Sequence, residues 1–230
     1  MNPNYAKKVK EEIDNLVKAG FITEVASSDW LFPIVVVPKK NGKLRARCIS
    51  AVTADAQQTT FMVGTLSLRE ENEVHLVKYS ASTGDVTCEG LYAHQHEIWD
   101  LASCPFDPLI FSTVHASAGD FGASVWRLPD HSKRSSQLEK VADLDGHTKK
   151  IKCTLWSQPD REHPQLLSID EEALYVWDID VSGRSVQVDK KIAPGLLHHM
   201  TNGAWDPHDA VSVATVSDSC VQFWDLRSTK

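Results

Sequence analysis

Tyr175-Val176-Trp177-Asp178-Ile179 is a short apolar run broken by one acid, and it is preceded by Ser168 and Asp170. The run reads as a buried strand. It has two relatives in the same chain, Ser124-Val125-Trp126-Arg127-Leu128 and Gln222-Phe223-Trp224-Asp225-Leu226. The three tryptophans are 51 and 47 residues apart. A recurrence near this length marks a repeat architecture, in which each unit buries its apolar face only by stacking on its neighbour.

The likeness extends upstream. Asp120, Asp170 and Asp218 stand six or seven residues before the tryptophans, where a turn is expected. Ala93-His94, Gly146-His147 and His198-His199 lie 25 to 32 residues before them. A second tryptophan follows each histidine on an expected strand, at Trp99, Trp156 and Trp205. A weaker, earlier copy runs from Glu73 to Tyr79, with Phe61 to Thr65 as its preceding strand.

These features resemble the WD40 repeat, whose four-stranded sheets stack around a channel as propeller blades. The resemblance implies a tetrad of buried polar groups, made of a histidine, a strand hydroxyl, a turn aspartate and a strand tryptophan. It falls on His147, Ser168, Asp170 and Trp177, and on His94, Asp120 and Trp126. The third copy supplies Thr215, Asp218 and Trp224, with either His198 or His199. Buried indole and imidazole N–H groups need acceptors, which gives such a set a structural role. A catalytic His–Asp reading is disfavoured, since the pair recurs in every copy without a recurring nucleophile. A metal site among His198, His199 and His208 is disfavoured too, because adjacent strand residues point to opposite faces. Three full copies and one weak one occupy residues 47–227. The fold expected is mainly β, a partial propeller of about three to four blades.

Several segments are more specific. Ala46-Arg47-Cys48-Ile49-Ser50, the run from Gly64 to Leu76, the run from His96 to Pro105, Gly203 to His208 and Phe223 to Arg227 are similar to the EARP-interacting protein family, plant-type members above all. That resemblance implies a seven-bladed, non-catalytic scaffold without a cofactor, partnered by subunits of endosomal and Golgi tethering complexes. It implies a cytoplasmic protein at endosomes and the trans-Golgi network, peripheral to membranes through its partners. A competing reading is a substrate receptor of a cullin-4 ubiquitin ligase. Trp224-Asp225-Leu226-Arg227 is similar to a WDxR box, in which Trp224, Asp225 and Arg227 would contact the ligase adaptor and Arg227 would pair with carboxylates.

Residues 1–45 are of another kind. They carry a net charge of +3, against −10 for residues 46–230, which also hold all ten histidines and six of the seven tryptophans. Val9, Ile13, Leu16 and Val17 fall at helical spacing before Gly20, and Asn41-Gly42 suits a type I′ hairpin turn. A short helix plus β-hairpin is expected. The run Ala19-Gly20-Phe21-Ile22, the run Trp30 to Val37 and the run Lys39 to Arg45 resemble the start of a Ty3/gypsy-type reverse transcriptase. The match stops before any metal-binding aspartate, so polymerase chemistry is not implied. Lys39, Lys40, Lys43 and Arg45 could meet phosphates, but the overall charge of −7 argues against a nucleic-acid grip. Two domains are expected, 1–45 and 46–230.

The remaining composition narrows the class. Cys48, Cys88, Cys104, Cys153 and Cys220 form no CxxC pair, so neither a disulfide framework nor a zinc–thiolate site is indicated. The first residues hold no apolar core of a secretory signal. Leu31 to Val37 is seven residues long and contains Pro33, well short of the roughly 20 needed to span a bilayer.

Overall fold

The computed structural model describes residues 46–67, 71–117, 120–129, 137–159, 164–180, 185–193, 199–218 and 220–227. The helix and hairpin expected in residues 1–45 lie outside the described residues. Every regular element among the described residues is a strand.

Four sheets follow one another along the chain. The first holds β1 (Ala46–Ala51), β2 (Thr59–Thr65), β3 (Asn72–Ser80) and β4 (Asp85–His94). The second holds β5 (Glu97–Ser103), β6 (Ile110–Ser117), β7 (Asp120–Arg127) and β8 (Glu139–Asp143). The third holds β9 (Ile151–Trp156), β10 (Gln165–Asp170), β11 (Leu174–Asp180) and β12 (Ser185–Ile192). The fourth holds β13 (Met200–Trp205), β14 (Ser212–Ser217) and β15 (Cys220–Asp225). All are antiparallel and ordered as in the sequence, so each sheet is a meander of adjacent hairpins.

The sheets meet through their first strands. β1 lies against β5, β5 against β9, and β9 against β13. The apolar side chains between sheets form three cores. Met62, Val74 and Leu76 of the first sheet join Ile98 and Phe111 of the second. Val114 and Val125 join Ile151, Trp156 and Leu166 of the third. Ile169, Leu174 and Val176 join Met200, Trp205 and Val213 of the fourth. Each fully buried aliphatic side chain contributes about 1.5–3 kcal/mol. A sheet therefore holds its place only because a neighbour covers it.

The register carries a repeated irregularity. In each first strand one extra residue interrupts the ladder to the second strand, at Arg47, Trp99, Lys152 and Thr201. A one-residue bulge bends and twists a strand. Its recurrence at one place in four sheets makes it part of the repeat. The second tryptophans all lie on first strands as expected, but they do not share one register position. Trp156 and Trp205 end their strands, opposite Leu166 and Val213. The residue at that position in the second sheet is Ser103, opposite Phe111. Trp99 is instead the bulged residue, four positions earlier.

Candidate protein-interaction surface

The polar groups expected from the sequence are spent inside the sheets. In the third sheet, Trp177 Nε1–H donates to Ser168 Oγ at 2.7 Å. Ser168 Oγ lies 2.7 Å from His147 Nε2, and His147 Nδ1 lies 2.9 Å from Asp170 Oδ2. With the imidazole neutral and its proton on Nδ1, every donor in this chain meets an acceptor. Asp170 Oδ1 also takes the backbone N–H groups of Glu172 (2.8 Å) and Ala173 (2.6 Å). Burial pushes the Asp170 carboxyl up, but the bonds from His147 and from these two N–H groups outweigh it and hold the group below its usual range. Gly146 supplies the φ of +110° that brings His147 into place, a conformation an L side chain rarely adopts.

The second sheet uses a residue that the sequence reading left unassigned. Trp126 Nε1–H donates to Thr113 Oγ1 at 2.8 Å, and the same oxygen lies 3.2 Å from His94 Nε2. His94 Nδ1 is satisfied by the carbonyl of His96 at 2.8 Å. Asp120 opens β7, and its side chain lies outside the described residues. Thr113 faces Ser124 across the ladder as Ser168 faces Tyr175, so the register identifies it where spacing alone did not.

In the fourth sheet, Trp224 Nε1–H donates to Thr215 Oγ1 at 2.8 Å. Asp218 sits exposed at φ +40°, and His199 at φ +72° donates its backbone N–H to Glu171 O at 2.9 Å. His198 is outside the described residues. The first sheet places Val63 and Val77 where the others have the hydroxyl and the indole. That apolar pair is the physical reason for its weaker sequence signal.

Neighbouring sheets are also stapled. Trp156 Nε1–H donates to Ala102 O at 3.1 Å, and Trp205 Nε1–H to Leu155 O at 3.0 Å, each acceptor belonging to the first strand of the preceding sheet. Thr154 N–H donates to Asp100 Oδ2 at 3.2 Å and Ser103 N–H to Ser50 Oγ at 3.0 Å. A cavity of about 420 Å³ opens beside these strand ends, lined by Ser50, Ser103, Thr154, Trp156, Ser157 and Trp205 among others. It offers hydroxyls and indoles and no charged side chain.

At the bulges the surface changes character. Arg47 Cζ lies 4.2 Å from the centroid of the Trp99 ring and Lys150 Nζ lies 4.4 Å from it. Lys150 Nζ is also 4.6 Å from the Phe121 ring, which meets Trp99 edge to face at 6.1 Å. Trp99 Nε1 is buried and has no hydrogen-bond partner among the described residues. Aromatic rings and arginine are enriched at protein interfaces, and a cation over a ring face is attracted to it. Arg227, by contrast, is held within its own chain. Its Nε and Nη2 grip Asp225 at 2.9 and 2.7 Å, which drives the Asp225 carboxyl down to about 2. Among the described residues no group of three or more His, Cys, Asp or Glu could hold a metal ion, and no helix is long and apolar enough to cross a membrane.

The EIPR1 beta-propeller family matches residues 42–230. The chain belongs to that family. Its relatives include the WD repeat-containing protein DWA2 of Arabidopsis thaliana, 50% identical over 190 residues that cover 82% of this chain and 54% of the relative. The EARP-interacting protein homolog of Dictyostelium discoideum is 29% identical, covering 81% and 50%. EARP and GARP complex-interacting protein 1 of Rattus norvegicus is 27% identical, covering 81% and 53%. The chain thus spans about half the length of these relatives. Among solved structures, a chain of the COPII outer coat vertex on membranes matches at a TM-score of 0.61 and 14% identity, over 80% of this chain and 48% of that one. This last likeness concerns the fold alone. It agrees with the four sheets: this member of the EIPR1 family carries four sheets of a β-propeller.

Proposed function

We propose that the chain is a non-catalytic propeller scaffold that binds subunits of vesicle-tethering complexes of the EARP and GARP type. Its work would lie at endosomes and the trans-Golgi network, where it reaches membranes through those partners. One observation carries the reading: the repeated histidines, hydroxyls and indoles are consumed in hydrogen bonds within and between sheets, while cationic and aromatic side chains gather at the bulged rim around Trp99. Relatives named for binding EARP and GARP support the choice of partner.

Affinity purification of the tagged chain from a cell extract tests it. The tethering subunits should be recovered, and recovery should fall when Arg47→Glu and Lys150→Glu are combined. Arg227→Ala should leave it unchanged. Recovery of the cullin-4 adaptor in place of tethering subunits, lost on Arg227→Ala, would favour the ligase reading instead.

A further inference from the structure

Six tryptophans lie among the described residues, and five of their indole N–H groups have acceptors. Trp126, Trp177 and Trp224 donate to a hydroxyl of their own sheet, and Trp156 and Trp205 to a carbonyl of the preceding one. Trp99 is the exception, its Nε1 buried and unpartnered among the described residues. A buried donor without an acceptor costs stability, so this one calls for an acceptor that the described residues do not hold.

The charges on that ring are exceptional in the same way. Arg47 and Lys150 lie 4.2 and 4.4 Å from its centroid, and neither is in an ion pair among the described residues. The neighbours of Lys150 along the chain are paired: Lys149 holds Glu172 at 3.0 Å and Lys152 holds Glu171 at 2.8 Å. Two unpaired cations thus share one ring in a stretch, residues 46–230, whose net charge is −10. Like charges held together repel, and an anion brought beside them offsets that cost.

The group draws on three successive sheets. Arg47 belongs to the first, Trp99 and Phe121 to the second, and Lys150 directly precedes the first strand of the third. Both sheets that flank Trp99 are described. Phe121, 36% exposed and edge to face with Trp99, adds apolar surface beside the two charges.

A carboxylate answers each of these features. It carries the opposite charge, a guanidinium takes it through two parallel bonds, and its oxygens accept an indole N–H. The acidic balance of residues 46–230 opposes long-range attraction of a nucleic acid or an anionic membrane, whereas a short segment needs only the local pair of cations. We propose that Arg47, Trp99 and Lys150 form a docking site for a short acidic peptide segment of a protein partner. Its carboxylates pair with the two cations, and one of their oxygens accepts the Trp99 indole N–H. This rests on the scaffold reading above and names the chemistry of what the rim binds.

Nuclear magnetic resonance of the indole N–H groups of the 230-residue chain tests it, the Trp99 signal being identified by its loss in Trp99→Phe. A peptide of alternating Asp and Glu, amidated at its end, should move that signal downfield and leave the other indoles in place. The matching Asn and Gln peptide should not. Arg47→Gln and Lys150→Gln should each weaken binding about two- to fivefold, as for an exposed ion pair, with unchanged circular dichroism. Three outcomes overturn the proposal: a Trp99 signal that ignores the acidic peptide, an equal shift with the amide peptide, or glutamine variants that bind as the parent does. Tighter binding of single-stranded DNA or of phosphatidylserine vesicles at the same signal overturns it in favour of a phosphate-bearing partner. The two readings fail separately. Tethering subunits recovered from extract, with no peptide effect at Trp99, leave the scaffold reading standing and remove this site. A peptide that binds at Trp99, with no tethering subunit recovered, supports the site and removes that choice of partner.

Discussion

The indole N–H of Trp205 donates to the carbonyl of Leu155, 50 residues earlier, across the boundary between the third and fourth sheets. Trp156 does the same to Ala102 across the preceding boundary. A side chain on one sheet thus satisfies a backbone acceptor on another, and the apolar ring packs in the core between them. Trp205→Phe keeps most of the packing and gives up the hydrogen bond, which should lower unfolding stability by about 1 kcal/mol. Trp205→Ala should cost about 3–5 kcal/mol through the cavity it leaves. Urea unfolding followed by far-ultraviolet circular dichroism measures both.

Ser168→Ala removes one oxygen and strands two groups, the Trp177 indole N–H and the His147 imidazole. Leaving a buried polar group unpaired costs about 1–3 kcal/mol. A drop in melting temperature of several degrees is expected, with no change in the strand content of the spectrum before the transition.

Gly64 marks where the first sheet touches the second. A Cβ there would lie 2.6 Å from Cys48 Sγ and 2.8 Å from Ile98 Cγ2. Gly64→Ala should therefore destabilise by about 1–3 kcal/mol, the usual result of overpacking. Gly84 meets nothing within 4 Å but holds φ at +70°, so Gly84→Ala is penalised by backbone strain instead. Paired melting curves of the two variants, each with the neighbouring Cys48→Ala change, separate the causes: Cys48→Ala should rescue Gly64→Ala in part and leave Gly84→Ala where it was.

His94 and His115 lie 5.8 Å apart, with His96 stacked on His115 at 5.1 Å. Burial is the main cause that lowers both to about 4 from an ordinary 6.5. The neighbouring imidazoles add to the depression, while Asp143 opposes it at His115 and the His96 carbonyl opposes it at His94. The folded chain then binds fewer protons than the unfolded chain between those values. Stability should fall as pH drops from about 6.5 toward 4. Asp170 is lowered, so its contribution is present above its ordinary range and is lost only at still lower pH. Melting temperature followed from pH 7 to pH 4 checks the slope, which should flatten in His115→Asn.

Much of this was legible in the sequence because indoles recurring on buried strands are conspicuous and carry the WD40 resemblance. That resemblance implied the set His147, Ser168, Asp170 and Trp177. Thr113 escaped because the copy that ends at Trp126 has several hydroxyls near the right spacing, and only the ladder selects the one opposite Ser124. The bulges were illegible: a single inserted residue leaves no residue-type signature when it is Arg47, Trp99, Lys152 or Thr201 by turns. Trp99, Trp156 and Trp205 all lie on the expected strands, and only the bulge sets Trp99 at another register position. The weak first copy is explained by Val63 and Val77, since an apolar pair packs without announcing itself.

The recurrent polar residues hold each sheet together through shared hydrogen bonds. A double-mutant cycle on Ser168→Ala and Trp177→Phe, read by urea unfolding, tests it most directly. The pair of changes should cost less than the sum of the single ones, by about 0.5–3 kcal/mol. Simple additivity, or single variants as stable as the parent chain, would contradict it.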